Sequence, residues 1–571
     1  MPDLENLGKV FETDVLVIGG GIAGLWTATR AKAFTDKVLI VDKGPQDWGG
    51  LCAMSGGDMI AVLHEEDVND FVEELVYYYD GLCEQDLIEE ILRQSHQRFQ
   101  DYVALGHEFA RGPDGKLKGI PQRGLKHFKC FVSRPYGKGG ENMAGVLIKE
   151  AEKLGVKRIG RTLVTDLVKQ KGAVCGAVGF HTTSGDFCIF RAKAVVITSG
   201  NGGWKTSYHM NTMTGEGIEL ALKAGAELRN CEFVKVWNVP KLFGWEGQTG
   251  LLPLGATFLN ADGEPFMDKY SPALGANTDP HYNVMGMAIE AREGRGPFYF
   301  DCSGMMPEDI ELMKPGAGWM KINYEKLLGV GMDFFGDRLE WMPQLMTAVG
   351  GVVADIKGQT CVPGLFAAGR VRNLDPGVYM GGWALCTTAV TGYMAGENAG
   401  KHAAESEPLP VKADLVHALK RGLFAPLGKK GIPGKEVLTK IQEAVFPYDV
   451  CILKNEKSLG KALDNIETIK KELLPEMVAA DAHHLTKLME VRSIATVTEL
   501  VLRASLMRTE SRAGHYREDY PDRDDENWLR WIIIKEDRGR LVFRTEPLPL
   551  EKYKFKPTRF YMDNFNFPKL H

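Results

Sequence analysis

The stretch DVLVIGGGIAGLWTATRAKAF, followed closely by VLIVDKG, restricts the fold of this chain more than any other. Asp14 to Ile18 reads as a fully buried strand, the next segment has helical apolar spacing, and Val38 to Val41 reads as a second buried strand ending at Asp42. Between strand and helix, Gly19, Gly21 and Gly24 form GxGxxG, with Ile22 and Ala23 opening the helix. The first glycine allows the tight turn, the second lets backbone amides approach a pyrophosphate, and the third permits close packing of helix on strand. A helix N-terminus favours negative charge there. Asp42 is placed to accept from ribose hydroxyls, so the unit predicts a βαβ dinucleotide site.

Three later segments return to such a site. AKAVVITSGNGG, residues 192–203, is a buried strand running into Ser199 and Gly200; NTMTGEGIELALKAGAEL, residues 211–228, opens a helix at Thr214, Gly215 and Glu216; GLFAAGR, residues 364–370, ends in Gly369 and Arg370. A flavin held along its whole length needs returns of this kind, so FAD is preferred to NAD.

With the first unit, these segments resemble the flavoprotein subunits of succinate dehydrogenase, fumarate reductase, L-aspartate oxidase and adenylylsulfate reductase. ESRAGHYREDYPDRDDENWL, residues 510–529, resembles that family's arginine-histidine segment, so the likeness spans nearly the whole chain. It implies an α/β fold: an FAD-binding Rossmann-like (glutathione-reductase-type) domain, residues 1–235 and 346–405, with an inserted capping domain over 236–345. A C-terminal helical domain at 406–520 and an extended tail at 521–571 complete the plan. The implied cofactor-binding set adds Lys43, Gly50, Ser55, Gly56, Gly57, Val164, Trp383 and Ala384.

The family's catalytic positions are altered. Gly50 stands where fumarate reductases and succinate dehydrogenases carry the histidine that attaches FAD, so the flavin is expected to be noncovalent. Met285 lies near the expected proton-shuttling arginine before EAREGRG, Leu345 or Met346 replaces the histidine of an HxTxGG turn, and Tyr379 sits close to a dicarboxylate-binding arginine. Val378 occupies the place of an active-site histidine of adenylylsulfate reductase, the relative nearest in general pattern. Two carboxylates in a closed site need cations or paired guanidinium groups, so fumarate and succinate are not expected as substrates. Arg370 replaces a family acid and cannot accept a hydrogen bond; it is expected to turn toward phosphate, a partner carboxylate or solvent, with backbone groups or Asp375 as the replacement acceptor. The candidate substrate site collects Trp237, Trp245, Trp383 and the catalytic candidates His281, Tyr282, Arg292, Arg295 and Tyr379, an aromatic pocket of modest charge.

Composition limits the partners. A net charge of -6 over 571 residues gives no basic field for nucleic acid, and no apolar run reaches the length of a membrane span. The N-terminal stretch has no secretory pattern, so a cytoplasmic location is expected. Ten scattered cysteines without CxxC, and adjacent His483 and His484 pointing different ways on a helix, predict no metal and no cluster in this chain. Electron exchange with iron-sulfur centres therefore requires a second, ferredoxin-like subunit in an oligomeric complex. The expected function is that of an FAD subunit of a reductase or dehydrogenase acting on a small organic or sulfur substrate. The alternatives are a non-catalytic FAD relay and a stand-alone oxidase.

Overall fold

The computed structural model describes residues 4–112, 114–206, 210–241, 248–311, 314 and 321–569. At its centre lie five parallel strands: Val15–Ile18 (β1), Val38–Val41 (β2), Lys157–Ile159 (β3), Ala194–Ile197 (β4) and Leu365–Ala367 (β5), ordered β5-β4-β1-β2-β3. Every residue of β1, β2 and β4 is buried, as short apolar runs covered on both faces must be. β1 is aligned Val15 to Val38 on one side and Val15 to Ala194 on the other, so the three strands end together at Ile18, Val41 and Ile197. Their carboxyl ends thus form one common edge, where ligands of open α/β sheets bind.

Helix α1, Ile22–Ala31, leaves that edge from Gly21, and α2, Glu216–Ala224, leaves it from Gly215. The sheet Lys9–Glu12, Phe187–Arg191, Ala173–His181 and Thr162–Gln170 packs beside it. A second layer hinges on two long antiparallel strands, Val234–Pro240 and Glu340–Ala348, extended by Phe298–Asp301 and Thr257–Leu259. Helix α3, Pro280–Arg292, packs on this cap sheet. Strand periodicity divides the work of Val234–Pro240: Val234 and Val236 join the main core, whereas Trp237 and Val239 join a separate small cluster.

α4, Trp383–Glu405, returns along α1, and its small residues explain the close approach. A Cβ on Gly396 would sit 2.3 Å from the Thr27 carbonyl oxygen, and one on Gly392 2.6 Å from that of Ala23. Helices follow, the longest being α5, Ala482–Met507. Residues 521–571, expected as an extended tail, contain instead an antiparallel hairpin, Arg530–Asp537 and Arg540–Pro547. Its first strand, with Ile532, Ile533 and Ile534 buried, pairs with Leu228–Arg229 and closes a sheet begun far earlier in the chain. Among the described residues no helix is long and apolar enough to cross a membrane, and no group of His, Cys, Asp and Glu is placed to hold a metal ion.

Candidate flavin and substrate site

The edge of the sheet is shaped by glycines, most of which no other residue replaces without collision or strain. A Cβ on Gly24 would lie 1.9 Å from the Gly19 carbonyl oxygen, and Gly19 itself has φ +115°. Gly21 caps α1 without any side-chain hydrogen bond, leaving the helix's first amides to a ligand. Gly50, at φ +67°, passes so near that its Cβ would be 2.9 Å from the Gly21 Cα. Gly57, φ +79°, packs on the Gly139 backbone, and Ser55 and Gly56 complete this turn, Ser55 Oγ donating to the Cys52 carbonyl at 2.8 Å. Gly369, φ +72°, faces Ala23.

Asp42 is engaged by backbone. Its Oδ2 accepts from Gly20 N–H at 2.5 Å and its Oδ1 from Gly44 N–H at 2.6 Å. The backbone carbonyl of Asp42 accepts from Thr162 N–H at 2.9 Å, which brings the strand carrying Val164 alongside. Lys43 ties three segments together: its Nζ donates to Thr214 Oγ1 at 2.8 Å, Glu216 Oε1 at 2.5 Å and Glu490 Oε1 at 3.1 Å. Burial opposes the charge of Lys43, but Glu216 and Glu490 outweigh it and raise the pKa. Glu490 is pushed down to about 2, burial being overcome by Lys43, Lys205 and Lys487. Glu490 on α5 is a member of this site that sequence reasoning missed, because nothing local marks a helix that arrives from the C-terminal domain.

At the other end, α4 begins at Trp383 and Ala384 behind Gly382, which has φ +79° and no side-chain cap. Ser199 Oγ, just before Gly200, is buried without a partner among the described residues. Three helix starts without side-chain caps, at Gly21, Gly215 and Gly382, a floor of closely packed glycines and this orphaned hydroxyl fit an extended dinucleotide, with α1 suited to its phosphates.

Arg370 faces a carboxylate of its own chain: its Nη1 lies 2.8 Å from Asp375 Oδ2. Asp375, buried, also faces Lys235 Nζ at 3.4 Å and accepts from Gly377 N–H at 3.1 Å. Burial works against its charge, but Arg370 and Lys235 keep its pKa below the ordinary carboxylate value. Burial drives Lys235 down to about 8 despite Asp375.

Beside this group lies the small cluster of Met210, Trp237, Val239 and Met346, with Leu51, Met213, Met342 and Tyr379 packed against it. Leu51 follows Gly50, Met213 precedes Thr214 and Tyr379 follows β5, so the cradle contributes one side; the two hinge strands of the cap contribute the other. The Trp237 and Tyr379 rings meet edge-on at 4.9 Å. Tyr379 is fixed through its backbone: its N–H donates to Asp279 Oδ2 at 2.6 Å and its carbonyl accepts from Arg123 Nη2 at 3.0 Å. Asp279 also accepts from the Tyr78 hydroxyl at 2.5 Å and caps α3 through His281 N–H at 2.8 Å. Burial raises the Asp279 pKa.

The remaining catalytic candidates divide along α3. The helix runs about 18 Å from Pro280 to Arg292. Arg292 and Arg295, expected at the pocket, therefore sit at the end remote from Asp279 and Tyr379, where Arg292 pairs with Glu518 and Arg295 with Glu290 and Glu293. Tyr282 is stacked on Phe565 at 3.8 Å and reaches Asp80 at 3.4 Å, anchoring the C-terminal tail. His281 is buried with both ring nitrogens unpartnered among the described residues; burial and Lys454 hold its pKa down to about 3, so it is neutral at physiological pH. Val378 and Met285 are core residues, and Trp245 lies outside the described residues. Sequence reasoning also missed Lys235, Arg123 and Asp279. The alternation in VKVWNVP, a lysine two residues before Trp237 on one strand face, was the available signal for Lys235.

Comparison with known proteins gives the family. The pattern of the family described as "FAD binding domain" matches residues 14–386, and that of "Fumarate reductase flavoprotein C-term" matches residues 440–561. One of the subunits of the fumarate reductase (CoM/CoB) of Methanothermobacter marburgensis is 29% identical over 552 residues, covering 92% of this chain and 97% of that protein. An L-aspartate oxidase of Streptomyces coelicolor is 25% identical over 591 residues, covering 96% of each. The fold is shared with a quinol-fumarate reductase (TM-score 0.86, 21% identity, 96% of this chain and 100% of that one). It is shared also with adenylylsulfate reductase from Archaeoglobus fulgidus (TM-score 0.77, 22% identity, 96% and 97%). The chain therefore belongs to the FAD-binding flavoprotein family of the fumarate reductases, succinate dehydrogenases and L-aspartate oxidases, and it is an FAD-dependent oxidoreductase.

Proposed function

We propose that this chain holds FAD noncovalently, exchanges electrons with a separate iron-sulfur subunit, and acts on a small substrate with a largely apolar body instead of a dicarboxylate. The observation that carries the reading is the Met-rich cluster around Trp237 and Tyr379 at the junction of cradle and cap. FAD supplies two-electron exchange with a substrate and single-electron exchange with a partner. Gly19, Gly21, Gly24, Gly50 and the starts of α1, α2 and α4 would hold it, with Thr214 and Glu216 locked by Lys43. Gly50 offers no side-chain nucleophile beside this site, which supports a noncovalent flavin.

The chain's own residues then shape the substrate. Asp279 and Arg123 fix the Tyr379 backbone, and its ring stands edge-on against Trp237 as a wall of the pocket. Arg292 and Arg295 are committed to carboxylates at the far end of α3 and are not available to a dicarboxylate. The naming of the Methanothermobacter relative as one component of a multi-subunit reductase supports the partner.

The test is anaerobic photoreduction of the purified FAD protein followed by addition of fumarate. Unchanged reduced flavin is expected, and rapid reoxidation by fumarate overturns the substrate reading. Iron analysis of the protein isolated from its native host tests the partner: copurifying iron is expected, and iron-free protein that reoxidises rapidly in oxygen overturns it.

A further inference from the structure

Of two donors at the pocket wall, one has a single long hydrogen bond and the other has none among the described residues. Lys235 and Trp237 are separated by one residue on Val234–Pro240 and so share a face of the strand, 9% and 7% exposed. The Lys235 ammonium has three N–H groups, and its hydrogen bond to Asp375 is long at 3.4 Å. Its Nζ stands 5.5 Å from the centre of the Tyr379 ring, the same ring that meets Trp237. Trp237 Nε1 is buried with no acceptor among the described residues. An unsatisfied buried donor is costly, and a native fold keeps one where a ligand or an ordered water completes it.

The surroundings say what the ligand is. Met210, Met213, Val239, Met342 and Met346 offer no side-chain hydrogen-bond donor and only weak sulfur acceptors. The cluster is not sealed, since Leu51, Met213, Met342 and Tyr379 are only half-buried. Asp375 is shared between Lys235 and Arg370, so one carboxylate meets two cations at this wall.

We propose that Lys235 and Trp237 bind the single carboxylate of an apolar monocarboxylic acid, whose hydrocarbon body lies among the methionines and against Tyr379. The ammonium supplies charge and the indole N–H supplies direction, while the polarisable thioethers adapt to the body. A dicarboxylate of similar length places its second charge among methionines and is rejected, because an unpaired charge in an apolar wall is expensive. The lowered pKa of Lys235 is consistent with a cation that lacks a full counter-charge until a ligand arrives. This inference rests on the substrate reading above and adds its chemical group and its two contacts.

Calorimetric titration of the oxidised, FAD-loaded protein tests it without turnover. The probes are trans-cinnamate, its uncharged amide, and succinate. Cinnamate is expected to bind at least about thirtyfold more tightly than either of the others. Lys235→Met is expected to abolish that advantage while leaving the weak binding of the amide unchanged, Lys235→Arg to restore most of it, and Trp237→Phe to cost about tenfold. Equal binding of cinnamate and its amide overturns the proposal, as does a Lys235→Met protein that retains wild-type affinity for cinnamate with its FAD spectrum intact. Reoxidation by fumarate sinks the substrate reading itself; a protein inert to fumarate that binds no cinnamate sinks only the role of Lys235 and Trp237.

Discussion

Two groups of buried charge lie on either side of the Pro376–Tyr379 turn, and they are built on opposite principles. On one side, Arg508, Arg512 and Arg517 are fully buried, and each of their guanidinium nitrogens has a partner. Arg508 bonds Glu232 at 2.7 Å, Glu510 at 2.8 Å and two backbone carbonyls. Arg512 bonds both oxygens of Glu510 and Asp525, and Arg517 both oxygens of Asp519. This closed network holds the loop whose Gly514 N–H donates to the Pro376 carbonyl at 3.0 Å. On the other side, Lys235, Arg370 and Asp375 form an open group with donors left over. A closed network positions backbone; an open one waits for a ligand.

Breaking each side therefore has different consequences, the largest in the closed network. Glu510→Ala leaves Arg508 and Arg512 without their shared carboxylate in a site closed to water, and is expected to cost about 3–5 kcal/mol, read by urea unfolding. Lys235→Met removes a desolvated cation with one long contact, and the same measurement should find stability within about 1 kcal/mol of wild type. Equal losses would mean that the two groups do not differ in kind.

A sharper probe of the cradle is Gly50→His, which places a nucleophilic side chain beside the proposed flavin site. At φ +67°, a conformation unfavourable for histidine, its Cβ would lie 2.9 Å from the Gly21 Cα and collide with the start of α1. The expected result is loss of bound FAD by about tenfold, equivalent to about 1.4 kcal/mol. Absorbance at the flavin band after dialysis reads it, and a covalent flavin on a denaturing gel is the contrary outcome.

The legible and illegible parts of the molecule follow from the same contrast. The cradle is readable because GxGxxG, TSGNGG and TGEG are backbone devices: Gly19, Gly200 and Gly215 hold positive φ and Gly24 packs on the Gly19 carbonyl, which local sequence carries, whereas the room that Gly202 and Gly215 leave for Val497 of α5 is not visible locally. Arg292 and Arg295 were misplaced because EAREGRG reads alike whichever end of the helix faces the cleft; only the Asp279 cap, bound to Tyr379 a hundred residues away, sets the direction. Lys43 with Glu490, and Lys235 with Asp375, are pairs of distant segments whose meeting depends on tertiary packing. The hairpin at Arg530–Asp537 was hidden behind an acidic, proline-containing start, though RWIII is a plain strand signal.

The pH dependence of the open group is the most diagnostic effect, because its two signs oppose. Lys235 faces Asp375, Arg370 and Asp279, with the Tyr379 ring nearby, and burial takes its pKa from 10.5 down to about 8. The ammonium is present below that pH and lost above it, so cinnamate affinity should be full near pH 6 and fall by about tenfold by pH 9. Stability moves the other way: between about 8 and 10.5 the unfolded chain binds the proton that the folded chain has released, so the penalty that Lys235 places on folding grows smaller as pH rises through that window. Lys235→Met should flatten both slopes relative to wild type. If affinity and stability instead rise together with pH, the open group is not governed by this lysine, and its likeness to a ligand-waiting site fails.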